Sequence, residues 1–310
     1  MDEGRKGLGI LNILLIGVVL ILGMFLIVES LIIVAQGNFL DFKSPLASKV
    51  AVIYVEGEMV TDGSPGAGYV GSGDVMDELR EAQADSSVKA IVLRINSPGG
   101  SPVAAQDIYS QIVKTKEVKP VVVSMGDLAT SAAYYISAPC DLIYAAPDSW
   151  TGSIGVIWPI QNSSGHYEQE GIQFYVAKSG DYKDIGADWR GLTDEEKSYV
   201  DGLVDETFQR FVDTVAASRK MPREKVLSLA DGRVFTGVHA KELGLIDDIG
   251  DMYDAIDAAK RLANIGDAAE VTYINGDALV AESAAGSQSN VTRTAGYYQP
   301  FYSPYGWMYF

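Results

Sequence analysis

Three turns rich in glycine and other small residues each follow an apolar, strand-like run. They span residues 96–102 (NSPGGSP), 125–135 (MGDLATSAAYY) and 151–156 (TGSIGV). Sites in α/β proteins form at the carboxyl ends of strands, where a pair such as Gly99-Gly100 lets backbone N–H groups face a cavity and make an oxyanion hole. A serine at a helix N-terminus can present its hydroxyl to the same cavity. Taken singly, each turn is also typical of a tight strand–helix connection.

The elements that must position these turns alternate between strand-like and helical patterns. Strand-like runs cover residues 50–55, 90–95, 120–125, 142–145 and 174–177, and helical spacing covers residues 72–84, 103–115, 131–137 and 252–264. Thr193 and Glu196 form a capping box that predicts a helix to about residue 219, and Pro222 in a first-turn position begins another. This alternation indicates an α/β protein with helices packed on the faces of a sheet.

The composition is that of a folded, acidic protein. Of 310 residues, 47% are hydrophobic and 21% charged, which argues against disorder, and the net charge of −17 argues against a nucleic-acid partner. The single cysteine, Cys140, excludes an internal disulfide and any multi-cysteine metal site, and it is expected to be a small buried side chain. The two histidines, His166 and His239, do not follow strand-end turns, so a catalytic role for either is not expected.

Taken together, the three turns resemble those of the signal peptide peptidase A (SppA) family of serine proteases. Residues 230–237 (ADGRVFTG) and 240–247 (AKELGLID) are similar to the family's late motif, and the resemblance covers roughly residues 50–263. It implies a Clp protease/crotonase-like fold, a repeated ββα superhelix, since the family shares its superfamily with the Clp protease subunit and the crotonases. It also implies a serine peptidase without metal or cofactor.

The resemblance also implies roles for individual residues. The family uses a Ser–Lys dyad, in which Ser131 matches the nucleophile and Lys183 the general base. Lys178 lies in the same motif (residues 178–185, KSGDYKDI) and is the alternative base. A lysine can accept the serine proton only when its surroundings, above all burial, favour the neutral amine. Ser153 matches the serine that helps to orient the lysine.

For the oxyanion hole, the resemblance implies backbone N–H donors at Gly100 and Ala132, with Gly99 supplying backbone freedom. One departure concerns the residues after the nucleophile, where the family commonly has Gly-Gly and this chain has Ala132-Ala133. Alanine suits a helix start better than glycine, but two extra methyl groups are expected to narrow the floor of the pocket.

The function implied is hydrolysis of remnant signal peptides and other hydrophobic peptides by a ring-shaped homo-oligomer. In some family members the serine and the lysine come from different subunits. Alternatives remain open: a sibling membrane peptidase that cuts stomatin-like membrane proteins, a non-catalytic scaffold of the same fold, or a crotonase-like acyl-CoA enzyme. The Ala132-Ala133 departure motivates the scaffold, whereas the serines and the lysine that match the family argue against it.

An apolar segment near the beginning of the chain predicts a membrane anchor. Residues 8–28 are almost continuously apolar, and a shorter apolar run continues to residue 35. A bilayer core needs about 20 helical residues, whereas a cleaved signal peptide has a shorter apolar region and a small-residue cleavage site that is not evident here. We therefore expect a single-pass signal-anchor in the cell membrane. Flanking charges do not settle its orientation, but the large segment after it favours an extracytoplasmic peptidase domain.

The predicted organisation is a short segment at residues 1–7, a transmembrane signal-anchor at 8–35, a linker at 36–48, a peptidase domain at 49–276 and a mobile, aromatic-rich tail at 277–310. The tail ends in residues 297–310 (YYQPFYSPYGWMYF), which are too apolar to be left fully solvated. A contact between subunits is the favoured location for these residues, with the substrate groove and the membrane interface as alternatives.

Overall fold

The computed structural model describes residues 20–25, 48–62, 68–275 and 310. Residues 48–310 form one unit and residues 1–47 another, in which residues 20–25 are helical. Within the described ranges, no helix is both long and apolar enough to cross a bilayer. The signal-anchor predicted over residues 8–35 lies outside the described residues apart from 20–25, and so does the predicted tail apart from residue 310.

A largely parallel sheet forms the centre of the second unit. Its described strands are β1 Lys49–Glu56, β4 Val88–Ser97, β5 Val121–Thr130, β6 Leu142–Ala145, β7 Trp150–Gly152, β8 Val234–Thr236, β9 Asp248–Ile249 and β10 Glu270–Tyr273. The spatial order is β10-β1-β4-β5-β6-β9, while β7 pairs with the end of β5 and β8 pairs antiparallel with β7. The short strands β2 Glu58–Val60 and β3 Tyr69–Gly71 form a second parallel pair.

Helices alternate with the strands along this unit, as the sequence predicted. They are α1 Ser72–Ala84, α2 Pro102–Lys116, α3 Ala132–Ser137, α4 Ser164–Gln169, α5 Asp194–Ser218, α6 Arg223–Leu229, α7 Gly237–Leu243 and α8 Met252–Leu262. The capping box that begins α5 is confirmed, because the Glu196 N–H donates to Thr193 Oγ1 (3.2 Å) and the Thr193 N–H donates to Glu196 Oε2 (2.9 Å). Pro222 is the N-cap of α6.

Both faces of the sheet are buried, which explains why its central strands are almost continuously apolar. In β4, Ile91 and Leu93 belong to the larger core cluster, while Ala90 and Val92 belong to a smaller one on the other face. Three buried residues of α8 complete the smaller cluster: Ala255, Ile256 and Ala259. Two alanines here let α8 pack closely on the sheet, so helices cover both sides of it.

One predicted strand is wrong. Residues 174–177 form no strand, and the whole stretch of residues 171–180 is exposed. The Phe174 ring packs on Trp189 (centroids 5.5 Å apart, 24°) and on Tyr167 (4.9 Å, 76°), whereas Tyr175 is 95% exposed. An apolar run forms a strand only where a neighbouring strand can take its backbone hydrogen bonds. No described strand of this subunit pairs with it.

A carboxylate is enclosed at the β10 edge of the sheet. The Asn275 side chain accepts the Tyr54 N–H (2.9 Å) and donates to the Tyr54 carbonyl (3.0 Å), so it extends the pairing beyond β10. The same amide donates to Glu78 Oε2 (3.0 Å). Burial raises the pKa of Glu78 to about 7, despite the opposing effect of the Asn275 hydrogen bond.

We predict that Glu78→Gln stabilises the protein in mild alkali and has little effect in acid. The pKa of Glu78 is higher in the folded state than its ordinary value of 4.5, so the folded state favours the protonated acid. The free energy of unfolding therefore falls as the pH rises from about 4.5 to about 7. After discounting for solvent screening, the gain above that range is about 1 kcal/mol, or roughly 2 °C in Tm. Thermal unfolding at pH 5 and pH 8 measures it, with Glu242→Gln as the exposed control. An equal effect at both pH values would contradict the burial argument.

Candidate active site

Strand β5 changes partners just before Ser131. Its first part pairs with β4 and β6, the register with β4 then shifts, and its last residues, 128–130, pair with β7. Asn96 occupies the irregularity, because its Oδ1 accepts the Leu128 N–H (3.2 Å) and its side chain lies where a Cβ on Gly126 would be, within 2.9 Å. Asn96, in the turn of residues 96–102, therefore shapes the end of β5, which leads into Ser131.

Ser131 has a strained backbone and an uncommitted hydroxyl. Its φ of 59° and ψ of −121° lie where residues with a Cβ are rare, a conformation that costs on the order of 1–3 kcal/mol and clusters at functional sites. The Ser131 N–H donates to the Gly152 carbonyl (2.8 Å), and its own carbonyl accepts the Tyr135 N–H (2.9 Å). It is the N-cap of α3, but its side chain makes no capping hydrogen bond. The hydroxyl is thus available to the adjoining cavity.

Gly99 and Gly100 bring a second backbone segment against this serine. A Cβ on Gly99 would lie 2.8 Å from Ser131 Cβ and 2.9 Å from the Ala132 nitrogen, and a Cβ on Gly100 would lie 2.2 Å from the Met59 carbonyl oxygen. Both glycines also have positive φ, 109° and 145°. Only glycine meets both the steric and the conformational requirement.

The predicted oxyanion-hole donors, Gly100 and Ala132, lie on the two backbone segments that meet beside Ser131. Gly99 is not one of them, since its N–H donates to Ser97 Oγ (3.2 Å). The bridge to Met59 uses the Gly99 carbonyl (2.8 Å) and the Ser101 N–H (2.8 Å), and the Gly100 carbonyl accepts the Phe310 N–H (3.1 Å). Among the described residues, none accepts the Gly100 N–H. The Ala132 N–H lies at the start of α3, where helix N–H groups lack intrahelical partners.

Ser153 lines the same cavity as Ser131, and strand β8 fixes both of them. Ser153 has a φ of 50° and donates its N–H to the Arg233 carbonyl (2.9 Å). Gly152, which accepts the Ser131 N–H, has a φ of 80°, and a Cβ there would lie 2.6 Å from the Phe235 ring. The late motif thus packs directly behind the serines, a role that its sequence did not indicate.

The cavity beside the two serines has a volume of about 480 Å³. Its apolar lining includes Val156, Ile157 and Phe208, and its carboxylates are Asp201, Asp205 and Asp231. Phe310 lines it as well. Within the described part of the chain, no lysine or arginine lines this cavity.

Lys183 is exposed on a series of turns and is not among the lining residues. The alternative base, Lys178, is already occupied: its Nζ donates to Asp184 Oδ1 (2.9 Å) and to the Asp181 carbonyl (2.8 Å). A charge-paired ammonium of this kind has no lone pair with which to accept a proton. The described subunit thus brings Ser131, Ser153, Gly100 and Ala132 together and leaves Lys183 apart.

An ion-pair network holds the loop that carries Lys183. Arg190 donates to Asp184 (2.7 Å) and to Glu196 (2.6 Å) at the start of α5. Its guanidinium, together with Lys178, holds the pKa of Asp184 far below its usual range, and hydrogen bonds from Arg190 and the Thr193 N–H lower the pKa of Glu196 to about 2. The loop is therefore anchored at its base while Lys183 extends outward.

Three further expectations concern the alanines after Ser131, the cysteine and the histidines. Ala132 and Ala133 are fully buried in the main core cluster and do not line the cavity, so the prediction that their methyl groups narrow the pocket floor is wrong, because α3 turns them into the core. Cys140 is buried as expected, and burial raises the pKa of its thiol. His166 and His239 are exposed and do not line the cavity.

Comparisons with known proteins show which family the chain is similar to. Residues 113–266 match the model of Peptidase family S49, and residues 70–148 match that of Clp protease. A putative protease of Synechocystis is 39% identical over 224 residues, which cover 72% of this chain and 78% of that protein. A putative protease of Methanocaldococcus jannaschii is 35% identical over 236 residues (73% and 74%). A putative signal peptide peptidase SppA of Enterococcus faecium is 36% identical over 214 residues (69% and 62%). The α/β architecture with a parallel sheet fits the Clp protease-like fold.

Proposed function

The chain belongs to peptidase family S49 and is a serine peptidase, and we propose that it cuts peptide bonds with a Ser131–Lys183 dyad. The observation that carries this proposal is the strained Ser131 backbone at the head of α3. Acyl transfer needs N–H donors beside the nucleophile, and their support is the close approach of Gly99 to Ser131 and Ala132 together with the place of Ala132 at the start of α3.

In the proposed reaction, Ser131 Oγ attacks the carbonyl carbon of the substrate peptide while neutral Lys183 Nζ takes the hydroxyl proton. The Gly100 and Ala132 N–H groups donate to the oxyanion of the tetrahedral intermediate. Lys183 then gives the proton to the leaving amine, and the C–N bond breaks to leave an acyl-enzyme. Water activated by the same lysine hydrolyses the ester and regenerates Ser131. The Ser153 hydroxyl orients the amine.

The base is supplied by a neighbouring subunit. This part of the proposal is supported by the exposure of Lys183 and by the exposed apolar run before it, in which Ile172 is 47% and Phe174 48% exposed. A second copy covering this run would bury its apolar side chains, and a head-to-tail contact of this kind closes into a ring. Burial in that contact would favour the neutral amine that the base requires.

The substrates are hydrophobic peptides, including remnant signal peptides, at a membrane. Support comes from the apolar lining of the cavity and from the apolar segment at residues 8–35, which acts as a single-pass anchor with the peptidase domain outside the cytoplasm. In finer detail, the fold is the ββα superhelix. Its support is a repeated order of strand, short strand or bridge, and helix: first β1, β2 and α1, then β4, the Met59–Gly100 bridge and α2.

A fluorophosphonate probe tests the nucleophile. We expect it to label the full-length protein and to label Ser131→Ala at background level, with hydrolysis of a hydrophobic peptide falling at least about 1,000-fold. Ser110→Ala is the matched control, because this exposed serine bonds only to the Gln106 carbonyl of its own helix. Equal labelling of Ser131→Ala and the parent protein would assign the reactive serine elsewhere.

A further inference from the structure

A second cavity, which we name the α8 cavity, has a volume of about 690 Å³. Its lining comes from β4, from the end of β5, from the turn before β7 and from the start of α8. Arg94 lines it and lies on the same face of β4 as Ala90 and Val92, in the smaller core cluster with α8. Ser131 begins α3, which is buried in the larger cluster on the other face. The two cavities share no lining residue, so the α8 cavity is a separate site.

Two exposed aromatic side chains line the α8 cavity. Trp150, the first residue of β7, is 56% exposed, and Tyr253, in the first turn of α8, is 67% exposed. Such side chains are enriched where a partner covers the ring and water reaches its polar end. The faces of their rings also attract cations, and they attract the guanidinium group most often. The cavity therefore offers aromatic surface for the stem and the head of a basic side chain.

Two aspartates make the α8 cavity negative and are available to a ligand. Asp127 and Asp148 are exposed, and within the described part of the chain neither forms a hydrogen bond or an ion pair. A third lining carboxylate, Asp251, is committed to the start of α8, where its Oδ1 accepts the Tyr253 N–H (2.7 Å) and the Asp254 N–H (3.0 Å). A carboxylate with no partner forms short, strong hydrogen bonds with an ammonium or guanidinium group.

Arg94 supplies the donors of the α8 cavity. Its Nη1 donates to Ser124 Oγ (2.9 Å) and to the Met125 carbonyl (2.8 Å). A guanidinium has five N–H donors, and no described residue accepts from its Nε or Nη2. These half-buried donors suit a carbonyl oxygen, whereas the exposed carboxylates suit a cation. A peptide with a basic side chain carries both groups, and a simple polyamine lacks the carbonyl.

We propose that the α8 cavity binds an arginine or lysine side chain of a partner peptide. The stem lies against Trp150 and Tyr253, the charged head bonds to Asp127 and Asp148, and Arg94 donates to a carbonyl of the same peptide. Charge complementarity identifies the occupant, because the chain has a net charge of −17 and attracts a cationic peptide over a distance. The same charge opposes a second copy of this chain as the occupant. The site does not depend on the proposed dyad.

Calorimetric titration of the full-length Ser131→Ala protein with the peptide acetyl-Gly-Arg-Gly-amide tests the site without hydrolysis of the probe. Citrulline has the shape of arginine without its charge, so a citrulline peptide should bind at least about tenfold more weakly. Combining Asp127→Asn with Asp148→Asn should weaken binding of the arginine peptide by a similar factor, and so should Trp150→Ala. Asp201→Asn, in the cavity beside Ser131, is the matched control and should leave the affinity unchanged.

Several outcomes would contradict this inference. Equal affinity for the arginine and citrulline peptides would overturn it, and so would no binding of either peptide at millimolar concentration. Weaker binding in Asp201→Asn, with none lost in the Asp127→Asn and Asp148→Asn protein, would place the peptide beside Ser131 instead. Spermidine that binds as tightly as the arginine peptide would overturn the assignment to a peptide. Thermal unfolding of each variant identifies folding defects, and Asp127 and Asp148 are exposed, so their amide variants should fold normally.

Discussion

Co-assembly of Ser131→Ala and Lys183→Ala subunits is expected to restore peptidase activity that neither variant has alone. Each single variant should lose about 1,000-fold or more, since one lacks the nucleophile and the other its base. If the lysine acts on the serine of a neighbouring subunit, random one-to-one co-expression leaves about one interface in four with both groups intact, and activity should recover to about a quarter of the parent level. Differently tagged chains, purified as mixed assemblies, provide the sample.

The controls for this prediction distinguish the two lysines. Lys183→Arg should be as inactive as Lys183→Ala, because a guanidinium stays protonated. Lys178→Ala should keep most activity, because Lys178 anchors the loop through Asp184 and takes no part in the proton transfer. Activity of the parent should rise with pH as the base becomes neutral. No recovery in mixed assemblies would place the dyad within one subunit, and inactive Lys178→Ala beside active Lys183→Ala would make Lys178 the base.

The second large effect is expected at the glycine pair. Gly99→Ala should lower kcat by about 100-fold to 1,000-fold, the cost of losing an oxyanion-hole donor, because the new methyl group would push on Ser131 Cβ and on the Ala132 nitrogen at distances under 3 Å. Gly100→Ala should be worse and should also destabilise the fold, since its methyl group meets the Met59 backbone at 2.2 Å.

Peptide hydrolysis and thermal unfolding, measured side by side, separate these effects. Gly73→Ala is the matched control: Gly73 lies in α1, and a Cβ added there would have nothing within 4 Å, so this change should leave kcat unaltered and raise stability by about 0.5–1 kcal/mol. A Gly99→Ala protein that is stable and has parental kcat would show that the approach of Gly99 to Ser131 does not matter for catalysis.

The sequence was sufficient for the long, periodic elements and for the turns at the strand ends. Helix α1 and strand β6 have the predicted bounds, and Ser131 begins α3 as expected. The short strands β2, β3, β7, β8 and β9 carry too few residues for a periodic pattern, and they form only because a partner strand is present. The apolar run at residues 174–177 is the converse case, a strand-like pattern with no described partner strand.

The candidate site also has a part that the sequence predicted and a part that only the tertiary structure shows. The glycine pair was visible in the turn sequence, which carries its own conformational signal, whereas Ser131 was assigned by the resemblance to the family. The contacts that fix Ser131 and Ser153 join them to Gly152 and Arg233, and the contact of Phe310 with Gly100 spans most of the chain. Such tertiary contacts leave no periodic trace in a single sequence. Membership of the family was predicted and is confirmed, whereas the pairing of Ser131 with Lys183 stays a prediction.

The β7–β8 pairing has a consequence for the order of events during synthesis. Ser131 takes its conformation from Gly152, Ser153 takes its own from the Arg233 carbonyl, and Phe235 packs on Gly152. A nascent chain that has reached residue 232 already contains Ser131 and Lys183, but it lacks residues 233–236, which pack against Gly152 and Ser153 behind the nucleophile. We therefore expect Ser131 to become reactive only once β8 has been synthesised and paired with β7, and a chain truncated before β8 to be inactive.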